Sequence, residues 1–381
     1  MIRSVAIVGG GILGAALAHA AASQGLQVTL LDAGPIGGGT TGTSFGWANA
    51  STKVGDNAYH DLNAAGVRAW HRLYDQYGAD IGMTPTGSVQ IVAGDDAQGI
   101  TDLTRDAARL SGFGYDCQEL SAQDLGQMLP YLALPPAALG LHCAQDAVID
   151  GPKAARWFAG RARDLGATIL DHCPARAFLM TEDGTVSGIA TDQVDIHADA
   201  VVLCTGKNSG DTLADLAGYD GFRNRFPLRQ VPGLILQTPP MPEHLRPSQI
   251  IWTSVTEEFH MMPTADGGLR MGSDDFDRFA TEDGLQIGAQ HLIDRADRWL
   301  PGIKSAVTPQ ECTLSIGIRP YPTDGHSIFG SIPGVPNAYL MATHSGITLA
   351  PHLAGVMLDC LLGRSQVPAQ FAINRFPSFQ S

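Results

Sequence analysis

The stretch VAIVGGGILGAALAHAAASQGLQVTLLD, residues 5–32, sets out a strand, a glycine turn, a helix, a second strand and a terminal acid in that order. Val5, Ala6, Ile7 and Val8 make the short apolar run of a buried parallel strand. Gly9, Gly11 and Gly14 then carry the spacing that gives, in turn, a tight turn, close backbone approach to a pyrophosphate and close packing of helix on strand. The pattern predicts a helix over 12–24, opening at Ile12 and Leu13, with its first N–H groups facing phosphates. A second strand over 28–31 ends at Asp32, roughly 20 residues past the glycines, where a carboxylate accepts from ribose hydroxyls, with Ala33 directly behind it. The unit reads as a dinucleotide-binding βαβ. A plain βα turn is the bland alternative, and the flanking strands and the placed acid weigh against it.

Outward from this unit the chain enters GPIGGGTTGTSFGWANAST, residues 34–52. Small residues there let backbone approach a ligand closely, and the hydroxyls can donate to phosphates. Leu62, Ala65, Ala69 and Leu73 recur at helical spacing within a predicted helix over 58–77. A strand over 87–92 and a surface helix over 97–110 follow. The nucleotide fold resumes near Asp146, with a helix after the Asp150-Gly151-Pro152 turn and strands over 168–170, 186–190 and 200–204. The last of these closes on Thr205-Gly206, at the carboxyl edge of the sheet, where ligands bind. Between Arg225 and Glu311, runs at 233–237, 249–253, 258–262 and 269–272 are joined by Pro- and Gly-rich turns and read as an antiparallel lobe. A helix over 282–300 interrupts it. The final part carries a segment over 316–330, a strand over 338–342, a turn at Gly346 and a helix over 348–362.

The expected fold class is therefore α/β, a Rossmann-type domain with a second, mainly antiparallel-sheet substrate domain. The boundaries read as 1–85, 146–224 and 312–381 for the first domain, and 86–145 and 225–311 for the second. At 381 residues, 44% hydrophobic and 16% charged, the chain can bury two sizeable cores. Its formal net charge of -14 argues against nucleic acid and against an anionic membrane surface as partners, since both need clustered cations. Cys117, Cys143, Cys173, Cys204, Cys312 and Cys360 are scattered without CxxC spacing, so neither a metal site nor a redox pair is expected and reduced cytoplasmic thiols are the simple account. Arg3 with the apolar run and Ala18, Ala20, Ala21 and Ala22 imitates a secretory signal, but the glycine turn explains the same residues better. No run reaches the ~18 apolar residues of a membrane span, and the expected location is cytoplasmic.

Five motifs together, GGGILG with Asp32, GGGTTGTSFGWANA, LCTG, GIRPYPTDGHSIFG and HSGITLAP, resemble the D-amino-acid oxidase family of FAD-dependent oxidoreductases. That family includes glycine oxidase, sarcosine oxidase and D-amino-acid dehydrogenases, and the resemblance runs over nearly the whole chain. It implies FAD as cofactor and oxidation of the C–N bond of a small amino acid or N-methyl amino acid by hydride transfer to flavin. The imine product hydrolyses to an oxo acid. Gly9, Gly11 and Gly14 would hold the pyrophosphate and Asp32 the adenosine ribose. Thr40 and Thr41 would meet the phosphates, and Phe45, Gly46 and Trp47 would lie by the isoalloxazine. Ala175, Thr205 and Gly206 join the cofactor-binding set, and Gly346, Ile347 and Thr348 would sit at the pyrimidine end of the flavin, where a helix N-terminus suits the charge gathered on reduction.

Arg319 matches the arginine that binds the substrate carboxylate in glycine oxidase, and it also lies within the cofactor set; a guanidinium fork suits a carboxylate. A surface salt bridge is the alternative for Arg319. His260 falls where glycine oxidase has a substrate-facing tyrosine, with a strand-edge role as its alternative, and His344 precedes the flavin-proximal turn. Thr348 is either a flavin contact or a simple first-turn helix residue, and Tyr321 and Trp252 either wall the pocket or belong to the core. The flavin is expected to be noncovalent, because Gly317 stands in the segment where sarcosine oxidases carry a tethering cysteine and the glycine-rich loop holds no histidine. Arg270 stands where sarcosine oxidase has its oxygen-activating lysine, which leaves oxygen and a quinone or electron-transfer partner as alternative acceptors. A homo-oligomer is allowed. Two rival readings stay open: an FAD-dependent 2-hydroxy acid dehydrogenase, and a non-catalytic FAD-binding subunit.

Overall fold

The computed structural model describes residues 2–253 and 258–380. Strand β1 (Ser4–Val8), helix α1 (Ile12–Ser23) and strand β2 (Gln27–Leu31) form the expected βαβ unit. β1 lies at the centre of a six-stranded sheet, parallel to β2 on one side and to Ala200–Leu203 on the other. Thr168–Leu170 extends the sheet beyond β2 and Ala338–Ala342 extends it beyond Ala200–Leu203, both in parallel. Ile328–Ser331 closes one edge antiparallel. Such a sheet is buried on both faces, so the strands read as continuous apolar runs. Val5 and Ile7 of β1 enter the core that holds Leu17, Phe158, Leu353 and Met357, while Ala6 and Val8 enter the core that holds Leu203, Leu213, Phe178 and Ile189.

The helices follow from their caps. α2 (Asn57–Tyr77) starts where the Asp56 carboxylate accepts from the Tyr59 N–H at 2.7 Å, and Gly151–Asp164 starts where Asp150 accepts from the Lys153 N–H at 3.0 Å. α1 has Gly11 at the same position and no side-chain cap, which leaves the N-terminal dipole end open to a ligand.

The second lobe is an eight-stranded sheet, antiparallel apart from the pairing of Ile250–Thr253 with Ser88–Val92. Leu285–Trp299 packs Leu292, Ile293 and Ala296 onto Leu234, Leu236, Ile251 and Met271 of this sheet. Its outermost strand on one side, Thr313–Pro322, runs beside Leu228–Gln237 for its whole length, with Arg319 opposite Val231. A boundary at 312 falls just ahead of this strand, which shares the large sheet while its loopward face meets the nucleotide-binding loop: the Thr40 hydroxyl donates to the Ile318 carbonyl at 3.0 Å.

One expectation is corrected. Cys117 and Cys143 are paired across neighbouring strands of the large sheet, Cα to Cα 4.3 Å, and form a disulfide. Their separation of 26 residues hides the pairing from any spacing rule, because only the strand register brings them opposite each other. Cys173, Cys204, Cys312 and Cys360 are free thiols. Denatured, unreduced protein should therefore titrate four thiols with a thiol-specific reagent, rising to six after reduction; six before reduction would contradict the bridge.

Candidate active site

The site begins at the crossing of α1 over β1. A Cβ on Gly14 would lie 1.9 Å from the Gly9 carbonyl oxygen, and one on Gly9, whose φ is +108°, would lie 2.4 Å from the Cys204 carbonyl oxygen. Neither position tolerates a side chain. Gly11 differs, since its Cβ would meet only the Thr41 hydroxyl, at 3.2 Å. That space is the opening into which the α1 N-terminus faces. The Thr41 hydroxyl accepts from the Ile12 N–H at 3.0 Å, so it stands at the helix mouth. Asp32 accepts from the N–H groups of Gly10 and Gly34 at 2.6 and 2.7 Å, which fixes the carboxylate and still leaves lone pairs for hydroxyl donors. Ala33 lies in this turn, and Ala175 begins a strand that packs beside Leu170 and Cys173 at the same end of the sheet. The Thr205 hydroxyl is buried with no partner among the described residues, and Gly206 follows at φ +55°. A helix N-terminus whose N-cap glycine gives no side chain, a glycine-lined opening, a fixed carboxylate and an orphaned hydroxyl fit the diphosphate and ribose of a dinucleotide.

The loop over 34–52 crosses from this mouth to the second lobe. Gly46 has φ +93°, and a Cβ there would lie 2.5 Å from the Ile149 carbonyl. Arg270 donates to the carbonyls of Ser44 and Phe45 at 3.1 and 3.3 Å and to Gln237 Oε1 at 2.7 Å. Its charge is thus committed to holding the loop backbone. The Trp47 indole donates to Asp146, a fully buried carboxylate that also receives the hydroxyls of Ser51, Ser88 and Tyr115. Burial pushes Asp146 up and these donors hold it back. Nothing in the sequence marks Asp146 as this hub except an acid standing just ahead of the apolar run Ala147-Val148-Ile149. Thr348 proves to be a loop anchor: its hydroxyl accepts from the Asn49 N–H at 3.2 Å and donates to the Trp47 carbonyl at 3.4 Å. Gly346 lies over Ile12 and Leu13, and the Ile347 carbonyl accepts from the Trp70 indole at 2.8 Å.

Arg319, His260 and His344 converge on this loop from the second lobe and the C-terminal segment. His344 stacks on Tyr321 at 4.3 Å between ring centroids and approaches the Tyr59 hydroxyl at 3.4 Å, which in turn bonds Ser345 at 2.7 Å. Its Nδ1 is buried without a partner among the described residues. Burial, with Lys53 and Arg319 nearby, lowers His344 to about 3, so the ring is neutral at neutral pH. His260 is held by Glu258 at 2.8 Å on Nδ1, sets its ring edge-on to Phe45 at 4.4 Å and lays Nε2 over Gly272, where a methyl group would be only 2.6 Å away. Trp252 lies tilted 6.3 Å from Trp47. Arg319 donates to Asp274 at 3.0 Å and to Asp277, the ion pairing that is the alternative reading of this residue, with partners the sequence does not name. Burial opposes its charge, and the two carboxylates more than offset this. Burial, reinforced by Asp274 and tempered by Arg319, pushes Asp277 up to about 6. Gly317 lies against the Thr43 carbonyl, 2.4 Å from where a Cβ would stand, so this strand has no room for a tethering side chain.

A family model, DAO: FAD dependent oxidoreductase, matches residues 4–359. The chain belongs to this family of FAD-dependent oxidoreductases. FAD is its cofactor, and the α1 mouth, Asp32, Thr205 and the loop over 34–52 are the features that fit it. The chain is 25% identical to glycine oxidase of Pseudomonas putida over 98% of both chains. Its fold is similar to those of glycine oxidase from Geobacillus kaustophilus, with TM-score 0.79, 22% identity and coverage of 98% of this chain and 99% of that one, and of L-proline dehydrogenase from P. horikoshii, with TM-score 0.82, 18% identity and 98% of both. Among the described residues no helix is long and apolar enough to cross a membrane.

The two glycines should separate fold from cofactor. Gly14→Ala is expected to lower the stability of the flavin-free protein by about 1–3 kcal/mol through overpacking. Gly11→Val is expected to keep the flavin-free melting temperature and lose bound FAD, because its methyl groups enter the open space at the helix mouth. Flavin absorbance per chain and thermal melts of both variants check this, and full flavin content in Gly11→Val would contradict it.

Proposed function

We propose that this oxidoreductase oxidises the C–N bond of a small amino acid or N-methyl amino acid, giving an imine that hydrolyses to an oxo acid. The observation that carries the proposal is Arg319, a guanidinium whose strand neighbour Ile318 is bonded to Thr40 of the loop over 34–52 and whose charge reaches His344. Glycine oxidases among the relatives support the same substrate class. FAD, when bound, supplies the two-electron acceptor for the oxidation.

The residues of this chain supply binding and orientation. Arg319 holds the substrate carboxylate through its fork, and a second carboxylate-recognition point is unnecessary for a small substrate. The Tyr321–His344 stack, braced by Tyr59 and Ser345, walls the space beside that fork and excludes water. His344, neutral and with an unpartnered ring nitrogen, adds no positive charge beside an amine whose lone pair must be free. Orientation of a bound amine is worth much of such a barrier, so little acid–base machinery is required. Oxidation of a 2-hydroxy acid would instead need a firm base for the hydroxyl proton. A histidine lowered to about 3 is a weak base, so His344 does not suit that role and a hydroxy acid would depend on His260, held by Glu258.

Arg319→Ala should keep its FAD and lose roughly 30-fold or more in kcat/KM for the preferred amino acid, as expected for breaking a charge-assisted pair in a partly desolvated pocket. Arg319→Lys should recover part of this. Steady-state kinetics with a redox dye are compared with those of a matched amine lacking the carboxylate, which the variant should handle no worse than the wild type. An equal loss on both compounds would show that Arg319 supports the fold or the flavin instead.

A further inference from the structure

Arg319 has five N–H donors, and the structure divides them unequally. Nε is buried without a hydrogen-bond partner among the described residues and packs toward Gly233, where a Cβ would sit 3.7 Å away. An incoming carboxylate therefore meets the guanidinium at its two terminal nitrogens. Asp274 is on Nη1 and Asp277 is on Nη2. The two acids are held very differently. Asp277 has a side chain only 20% exposed, and it also accepts from the Leu234 N–H at 3.2 Å. The Asp274 side chain is 66% exposed, and Arg319 is the donor its carboxylate is seen to take.

We infer that Asp274 is a displaceable counter-ion that holds the place of the substrate carboxylate on Arg319 and so sets the affinity and selectivity of the site for carboxylate ligands, while Asp277 stays and fixes the guanidinium. This deepens the proposed function and rests on its assignment of Arg319. Lys53, lowered by burial, is within electrostatic reach of both Asp274 and His344. An exposed ion pair contributes little, which is what makes the exchange accessible to a small ligand. A cationic amine without a carboxylate cannot make the exchange and leaves Asp274 in place, so the same residue discriminates against it.

The test uses FAD-loaded protein and acetate or propionate, carboxylates that cannot be oxidised at a C–N bond, titrated by calorimetry into wild type, Asp274→Asn, Asp274→Glu and Asp283→Asn. Asp283 is an exposed acid outside the ion pair and controls for net charge. Carboxylate binding should tighten about two- to fivefold in Asp274→Asn, as expected for removal of a competing exposed ion pair, and stay at the wild-type value in Asp274→Glu and Asp283→Asn. With a substrate amino acid, the gain should fall in KM. Unchanged or weaker carboxylate binding in Asp274→Asn, or no carboxylate binding by either form, overturns the inference. If carboxylates bind and sharpen as expected while no amino acid reduces the flavin, the inference stands and the proposed reaction fails. If an amino acid is oxidised but Asp274→Asn leaves carboxylate affinity unchanged, the reverse holds.

Discussion

The contact between α1 and β1 is the constraint on which the rest depends. With no side chain at Gly9 or Gly14, the helix settles against the Gly9 carbonyl at a distance that even an alanine would violate. That closeness brings the N-terminus of α1 to the carboxyl edge of the six-stranded sheet, beside Cys204, Thr205 and the start of the helix at Gly346. An anion at such a mouth is stabilised by several N–H groups and by the dipole together. Three of the residues proposed to meet the cofactor are placed relative to this mouth: Thr41 across it, Asp32 behind it, and Gly346 over Ile12 and Leu13.

The two sheets meet through the loop over 34–52, and the loop is held from both sides. Arg270 and the Ile318 carbonyl grip it from the second lobe, while Thr348 and Asp146 grip it from the nucleotide-binding side. The Thr313–Pro322 strand then sets Arg319 at a fixed distance from the loop, because its neighbour Ile318 is bonded to it. Arg319, the proposed carboxylate-binding group, and the loop over 34–52 are in this way parts of one hydrogen-bonded unit.

Much of this was legible in residues 5–32, since glycine spacing, strand apolarity and a terminal acid are local signals. The register of sheets is not local. Nothing in the spacing of Cys117 and Cys143 shows that they face each other, and the expectation of reduced thiols failed for that reason. The partners of Arg319 were hidden likewise: Asp274 and Asp277 lie more than forty residues away in sequence and reach it only because Leu228–Gln237 pairs with the Thr313–Pro322 strand. Asp146 reads as an ordinary charge in the sequence and Arg270 as a counterpart of an oxygen-activating lysine; their bonds to Trp47 and to the carbonyls of Ser44 and Phe45 come from burial and backbone placement that no motif encodes. Thr348 had two sequence readings, and its bonds to the loop backbone show why a first-turn hydroxyl is placed there.

The most direct measurement of the central claim is anaerobic mixing of the FAD-loaded protein with a panel of small D-, L- and N-methyl amino acids, 2-hydroxy acids and amines without a carboxylate, followed by its flavin absorbance. The account predicts that at least one small amino acid bleaches the flavin, while the matched amine and hydroxy acid leave it yellow. Flavin that stays oxidised with every amino acid, in protein carrying one FAD per chain, would contradict it.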